Sequence, residues 1–206
     1  MVTQRSLASA VGFLSMFGGA LFGLLLFLFV GVFRADTADV GLSAAGTMLT
    51  LSLLFLVPAA AGLYLLQRPD TGVVGTVAWL PLQAGLVAFL VTGTLDLLAV
   101  SYPYAELVGT VQLGLLLVGG VAFGLLTASH DVFVHSTDGG LLLAASVPVL
   151  VGVEPALSAL GVDVPLVGSL LAAAPFSLAW LLLGLDMLTA GDGGVDRTDI
   201  RTPGEG

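Results

Sequence analysis

Long apolar runs separated by short polar turns dominate this chain, at residues 7–33, 43–66, 73–100, 107–127, 141–162 and 165–188. An apolar stretch of about 18 residues or more with few charges reads as a membrane-spanning helix. The pattern therefore predicts an all-α fold, a polytopic membrane helix bundle of about six transmembrane helices. The first run exceeds the roughly 7–15 apolar residues of a secretory signal, so it reads as a retained helix. It would extend about 40 Å, more than the roughly 30 Å hydrocarbon core, so tilt is expected. Between the second and third runs, Gln67-Arg68-Pro69-Asp70-Thr71-Gly72 has the Pro-Asp-x-Gly form of a tight turn. Glu154-Pro155 interrupts the fifth run, which leaves a re-entrant segment as the alternative to a full span.

Residues 1–190 form a single transmembrane helical domain on this reading, and 191–206 an acidic, Gly-rich tail expected to be disordered. The arginines orient it, because positive charge is retained in the cytoplasm. With six spans, Arg5, Arg68, Arg197 and Arg201 fall on one side and only Arg34 on the other, which predicts cytoplasmic termini.

Composition sharpens the picture. Of 206 residues, 57% are hydrophobic and 9% charged, against about 25% charged in an average soluble domain. Too few charges remain to cover a water-facing surface. Cysteine is absent, which removes disulfides, thiol catalysis and thiolate metal sites. The net charge of −9 argues against nucleic acid or anionic lipid as a partner, since both require basic patches.

Small residues mark packing faces. Gly19 and Gly23 form a GxxxG pair extended by Ser15, Gly12 and Ala8, and Gly120 and Gly124 form another. In lipid, helices associate through close backbone approach at such positions. A dimer interface and an ordinary contact within one bundle both fit. Pro58, Pro81, Pro148 and Pro175 fall inside predicted helices, where each removes a backbone hydrogen bond and bends its helix.

Ionisable groups inside a membrane are costly, so Asp96 and Glu154 are the candidate ion or proton site. Glu106 and Asp163 fall toward the same predicted outer side, and Asp186 toward the inner end. Gln83 and Gln112 are deeper, and interhelical hydrogen bonding is their expected task. His130-Asp131-Val132-Phe133-Val134-His135-Ser136-Thr137-Asp138 holds both histidines, but matches no ligand signature such as His-Glu-x-x-His. No metal and no cofactor is expected. Phosphate-loop and Gly-x-Ser-x-Gly motifs are absent, and no span pairs serine with histidine, so enzyme activity is not expected either.

The loops Arg34-Ala35-Asp36-Thr37-Ala38-Asp39, Gln67-Arg68-Pro69-Asp70-Thr71-Gly72 and Gly191-Asp192-Gly193-Gly194-Val195-Asp196-Arg197-Thr198-Asp199, in a chain without Lys or Cys, resemble those of membrane proteins of salt-loving archaea. The layout is similar to small prokaryotic six-helix families without an assigned function. The resemblance implies a cell-membrane location and carries over no functional residue. The expected role is that of a non-enzymatic membrane accessory or assembly component, packed against itself or another membrane protein in the lipid bilayer. The alternative is a small transporter or channel for a cation, a proton or a small solute.

Overall fold

The computed structural model describes residues 4–34, 38–130, 136–159 and 165–192, with side chains at 6–25, 46–130, 137–149 and 174–189. Among these described residues five helical elements follow one another: α1 (Gln4–Arg34), α2 (Ala38–Leu97), α3 (Ala105–Ser129), α4 (Ser136–Ala159) and α5 (Pro165–Asp192). Among the described residues there is no strand. Ser6–Leu25, Gly46–Leu97 and Ala105–Ser129 are long and apolar enough to cross a membrane.

The 60 residues of α2 hold two of the predicted runs. The polar hexapeptide between them remains helical through Thr71, whose hydroxyl donates to Gln67 O at 3.0 Å. The break is confined to Gly72, at φ 56° and ψ −133°, a conformation that is essentially glycine's alone. Pro69, three residues earlier, has already removed one helical donor. Beyond Gly72 the chain folds back on itself. Tyr64 meets Thr76 and Trp79, Val57 meets Gln83, and Thr50 approaches Gly93. These pairs all centre on the Gly72 region, so residues 38–71 and 73–97 are the two antiparallel limbs of a hairpin.

The other boundaries shift by a few residues. The fifth run begins its helix at Ser136, not 141, and Glu154-Pro155 does not end it, since α4 continues to Ala159. The last helix runs to Asp192, two residues into the expected tail, and opens on Pro165, whose missing N–H costs nothing at a first helical position. Residues 193–206, the rest of that tail, lie outside the described residues.

Each element packs on its chain neighbours, and α5 returns to α1; among the described residues no other pair of elements comes together. The result is a closed ring. Glycine lines its tightest seams. A Cβ on Gly12 would stand 2.8 Å from Gly184 O, and one on Gly19 3.0 Å from Ser177 O, which sets α1 antiparallel to α5. A Cβ on Gly124 would lie 2.6 Å from Ala144 N, and one on Gly140 2.6 Å from Ala128 N, joining α3 to α4.

Side chains fill the middle of the ring. Trp180, Phe123, Leu56, Leu63, Leu82, Leu143, Val147, Leu183 and Met187 are fully buried. Phe22 and Phe176 pack ring to ring at 4.9 Å, and Phe176 meets Trp180 edge-on at 6.2 Å. The outside is apolar as well. Phe13, Phe17 and Leu24 on α1, Val77, Leu80 and Val91 on α2, Val118 and Leu125 on α3 and Leu178 and Leu185 on α5 are all exposed. Water-soluble monomers rarely expose apolar patches beyond a few hundred Å²; a lipid-facing surface requires them.

Candidate functional site

Asp96 sits in the last turn of α2, with its side chain exposed. Its carbonyl accepts from Ala99 N at 3.0 Å, while Val100 N donates to Leu95 O at 2.9 Å. Together with the left-handed Ala99 (φ 53°) these bonds form the Schellman arrangement that closes a helix C-terminus. Glu154 belongs to α4, and its side chain lies outside the described residues. Because α2 and α4 do not touch and α3 stands between them, the two carboxylates belong to non-adjacent helices. Glu106 is exposed in the first turn of α3, where a negative charge complements the helix dipole. Asp163 lies outside the described residues.

Among the described residues, the buried acid is Asp186, only 2% exposed. A side chain on Gly139 in α4 would meet Leu183. Asp186, one turn further along α5, is therefore level with the first turn of α4, where N–H groups favour a carboxylate.

Several other interior polar groups bind helices to one another. Gln67 and Thr127, 1% and 0% exposed, form a reciprocal pair. Gln67 Nε2 donates to Thr127 Oγ1 at 3.1 Å, and that hydroxyl donates to Gln67 Oε1 at 3.2 Å. Gln112 Nε2 donates to Thr92 Oγ1 at 2.9 Å, linking α3 to α2, and Gln83 Nε2 donates to Val57 O at 3.2 Å across the α2 hairpin. Ser52 donates to Gly18 O at 2.9 Å and Ser177 to Gly19 O at 2.7 Å. Bonds of this kind average about 0.6 kcal/mol in a membrane bundle. They fix register and present no nucleophile to a base.

Both GxxxG pairs are contacts within the chain. Gly19 and Gly23 receive Ser177 and Trp180 of α5, Gly120 receives Val147, and Gly124 receives Gly140 and Ala144 of α4. Two apolar grooves of about 590 and 450 Å³ run along the outside of the α1–α5 seam and share Ala20, Leu24 and Leu181. Among the described residues no three His, Asp or Glu side chains gather to hold a metal. His130 Nδ1 lies 3.0 Å from Leu126 O, so in the tautomer protonated there it donates to a terminal carbonyl of α3. His135 lies outside the described residues.

Comparison with protein-family models, with curated proteins and with solved structures finds no match.

Proposed function

We propose that this chain is a multi-pass integral protein of the cell membrane, crossing it six times with both termini on the cytoplasmic side. It acts there as a non-enzymatic packing or assembly component. Antiparallel α1 and α5 support the even number of passes, provided the two limbs of α2 cross separately. The arginine distribution supports the orientation. The acidic exterior fits surroundings of high salt, where screening shortens to about 3 Å at 1 M.

The filled centre carries the functional reading. Where a transport path would run, Trp180, Phe123, Leu63 and Leu143 are 0% exposed, and Gln67, Thr127 and Gln112 spend their polar atoms on one another or on Thr92. Asp96, half of the carboxylate pair on which the transporter alternative depends, is exposed at a helix end. In proteoliposomes carrying a pH-sensitive dye, the protein is expected to give no proton or cation flux above protein-free vesicles. A flux that Asp96→Asn or Glu154→Gln abolishes would replace this reading with the transporter.

A further inference from the structure

The connection between α2 and α3 turns apolar side chains outward at a level marked by charge. Leu98 is 67% exposed, Val100 47% and Tyr104 78%, and the exposed acids Asp96 and Glu106 bracket them in the chain. Hydrogen bonds hold the backbone of this tip. Leu98 N donates to Thr94 O at 3.1 Å, Val100 N to Leu95 O at 2.9 Å, and Val108 N to Tyr104 O at 2.9 Å. Tyr104 is out of place by the rules of its own helix. It is the N-cap of α3, left-handed at φ 61° and ψ 34°, and its side chain makes no capping bond. Ser, Thr, Asp and Asn are favoured at an N-cap, and Asn and Asp adopt the left-handed region more readily than a tyrosine does. The helix itself supplies no reason for the ring.

Length fixes what surrounds the tip. α3 has 25 residues, and the second limb of α2, residues 73–97, is equally long. At about 1.5 Å per residue each extends about 37 Å, against a hydrocarbon core of about 30 Å and about 40–45 Å with headgroups included. Exposed Arg68 and Asp70 precede one of these helices, and Ser129 and His130 end the other, so neither can slide into the hydrocarbon. Centred in the bilayer, each helix end stands about 3–4 Å beyond the core, inside a headgroup layer about 5–7 Å deep. Residues 98–104 therefore fall within that layer and not in bulk water. Tyrosine is enriched at this level, where one end of the ring is apolar and the other wet.

We propose that the α2–α3 tip docks into the lipid headgroup layer: Leu98, Val100 and the Tyr104 ring rest on the uppermost methylenes of the lipid chains, and the Tyr104 hydroxyl lies among lipid oxygens to which it can donate. Ser101, polar and exposed, is left on the water side. The proposal rests on the membrane reading above. The competing occupant is a second protein, which would require the tip to stand clear of the lipid.

The absence of native cysteine permits a depth measurement. Leu98→Cys, Ser101→Cys, Tyr104→Cys and Val118→Cys, each alone, carry a thiol-reactive fluorophore in phosphatidylcholine vesicles. The quenchers are nitroxide-labelled lipids, with the label on the headgroup or deep in the chain, and iodide in the water. At positions 98 and 104 the headgroup nitroxide is expected to quench most, and iodide less than at position 101. Val118, 62% exposed and about 20 Å further along α3, is quenched most by the deep label. Adding Tyr104→Asn to the Leu98→Cys chain, a change that suits the cap and its conformation, is expected to raise iodide quenching at 98 without lowering stability in detergent. Iodide quenching at 98 and 104 as strong as at 101, with no effect of the headgroup label, would overturn the proposal and leave the tip open to a protein. Strongest quenching there by the deep label, or a profile unmoved by Tyr104→Asn, would overturn it too. Failure of the membrane reading would show separately, as a Val118 label that no lipid nitroxide quenches.

Discussion

Gly124→Leu is expected to destabilise the folded bundle by about 3 kcal/mol or more, at the upper end of what overpacking costs. The first added carbon would lie 2.6 Å from Ala144 N and 2.7 Å from Gly140 O. Both are backbone atoms of a helix and cannot swing aside as a side-chain tip does. Relief requires α4 to move off α3, which also opens the contact between Gly140 and Ala128. Gly109 and Gly114 on the same helix provide the control, because a Cβ at either meets nothing within 4 Å. Leucine at those positions is expected to be neutral or slightly stabilising, since Gly costs a helix interior about 1 kcal/mol. Denaturant unfolding in mixed micelles, followed by circular dichroism, measures all three. Equal stability of the Gly124 and Gly114 variants would remove the α3–α4 seam from the account.

The double variant Gly19→Leu, Gly23→Leu is expected to lose a further 2–4 kcal/mol or so relative to the unmodified chain, with its oligomeric size unchanged. Its added carbons would press on Ser177 O at 3.0 Å, on Trp180 Cβ at 3.1 Å and on Ser177 Oγ at 2.8 Å. They would also dislodge the hydroxyl that donates to Gly19 O. Trp180 lies at the centre of the aromatic core, so the disturbance spreads inward. Light scattering in detergent beside the unfolding curve distinguishes the two readings of this motif. Loss of a dimer with stability intact would return the GxxxG face to an intermolecular role.

The sequence made the helices legible because hydrocarbon admits few alternatives: runs of about 20 apolar residues must satisfy their backbone internally. It also marked where backbones approach, through Gly19, Gly23, Gly120 and Gly124. Which helix fills each of those faces was not legible. Ser177 and Gly19 are 158 positions apart, and small residues announce a close neighbour without naming it. Nor was inside separable from outside. In water a helix alternates polar and apolar faces, but here Val11 is 2% exposed and Phe13 54%, with nothing in residue type to order them. The same uniformity hid the burial of Asp186 and drew attention to Asp96, whose place near a helix end proved to be part of the terminating turn. Gly72 shows a finer limit. Six residues carried a turn signature, yet five of them remain helical, and the reversal falls on the one residue that tolerates its dihedral angles.

The account depends most on an even number of crossings in a bilayer, and the absence of native cysteine makes that directly measurable. Ser6→Cys, Ser101→Cys and Thr198→Cys, each alone, would be probed with a membrane-impermeant thiol reagent in intact cells and in inverted vesicles. Labelling of positions 6 and 198 only in inverted vesicles, and of position 101 only in intact cells, is the expected result. Labelling of positions 6 and 198 from opposite faces would contradict it.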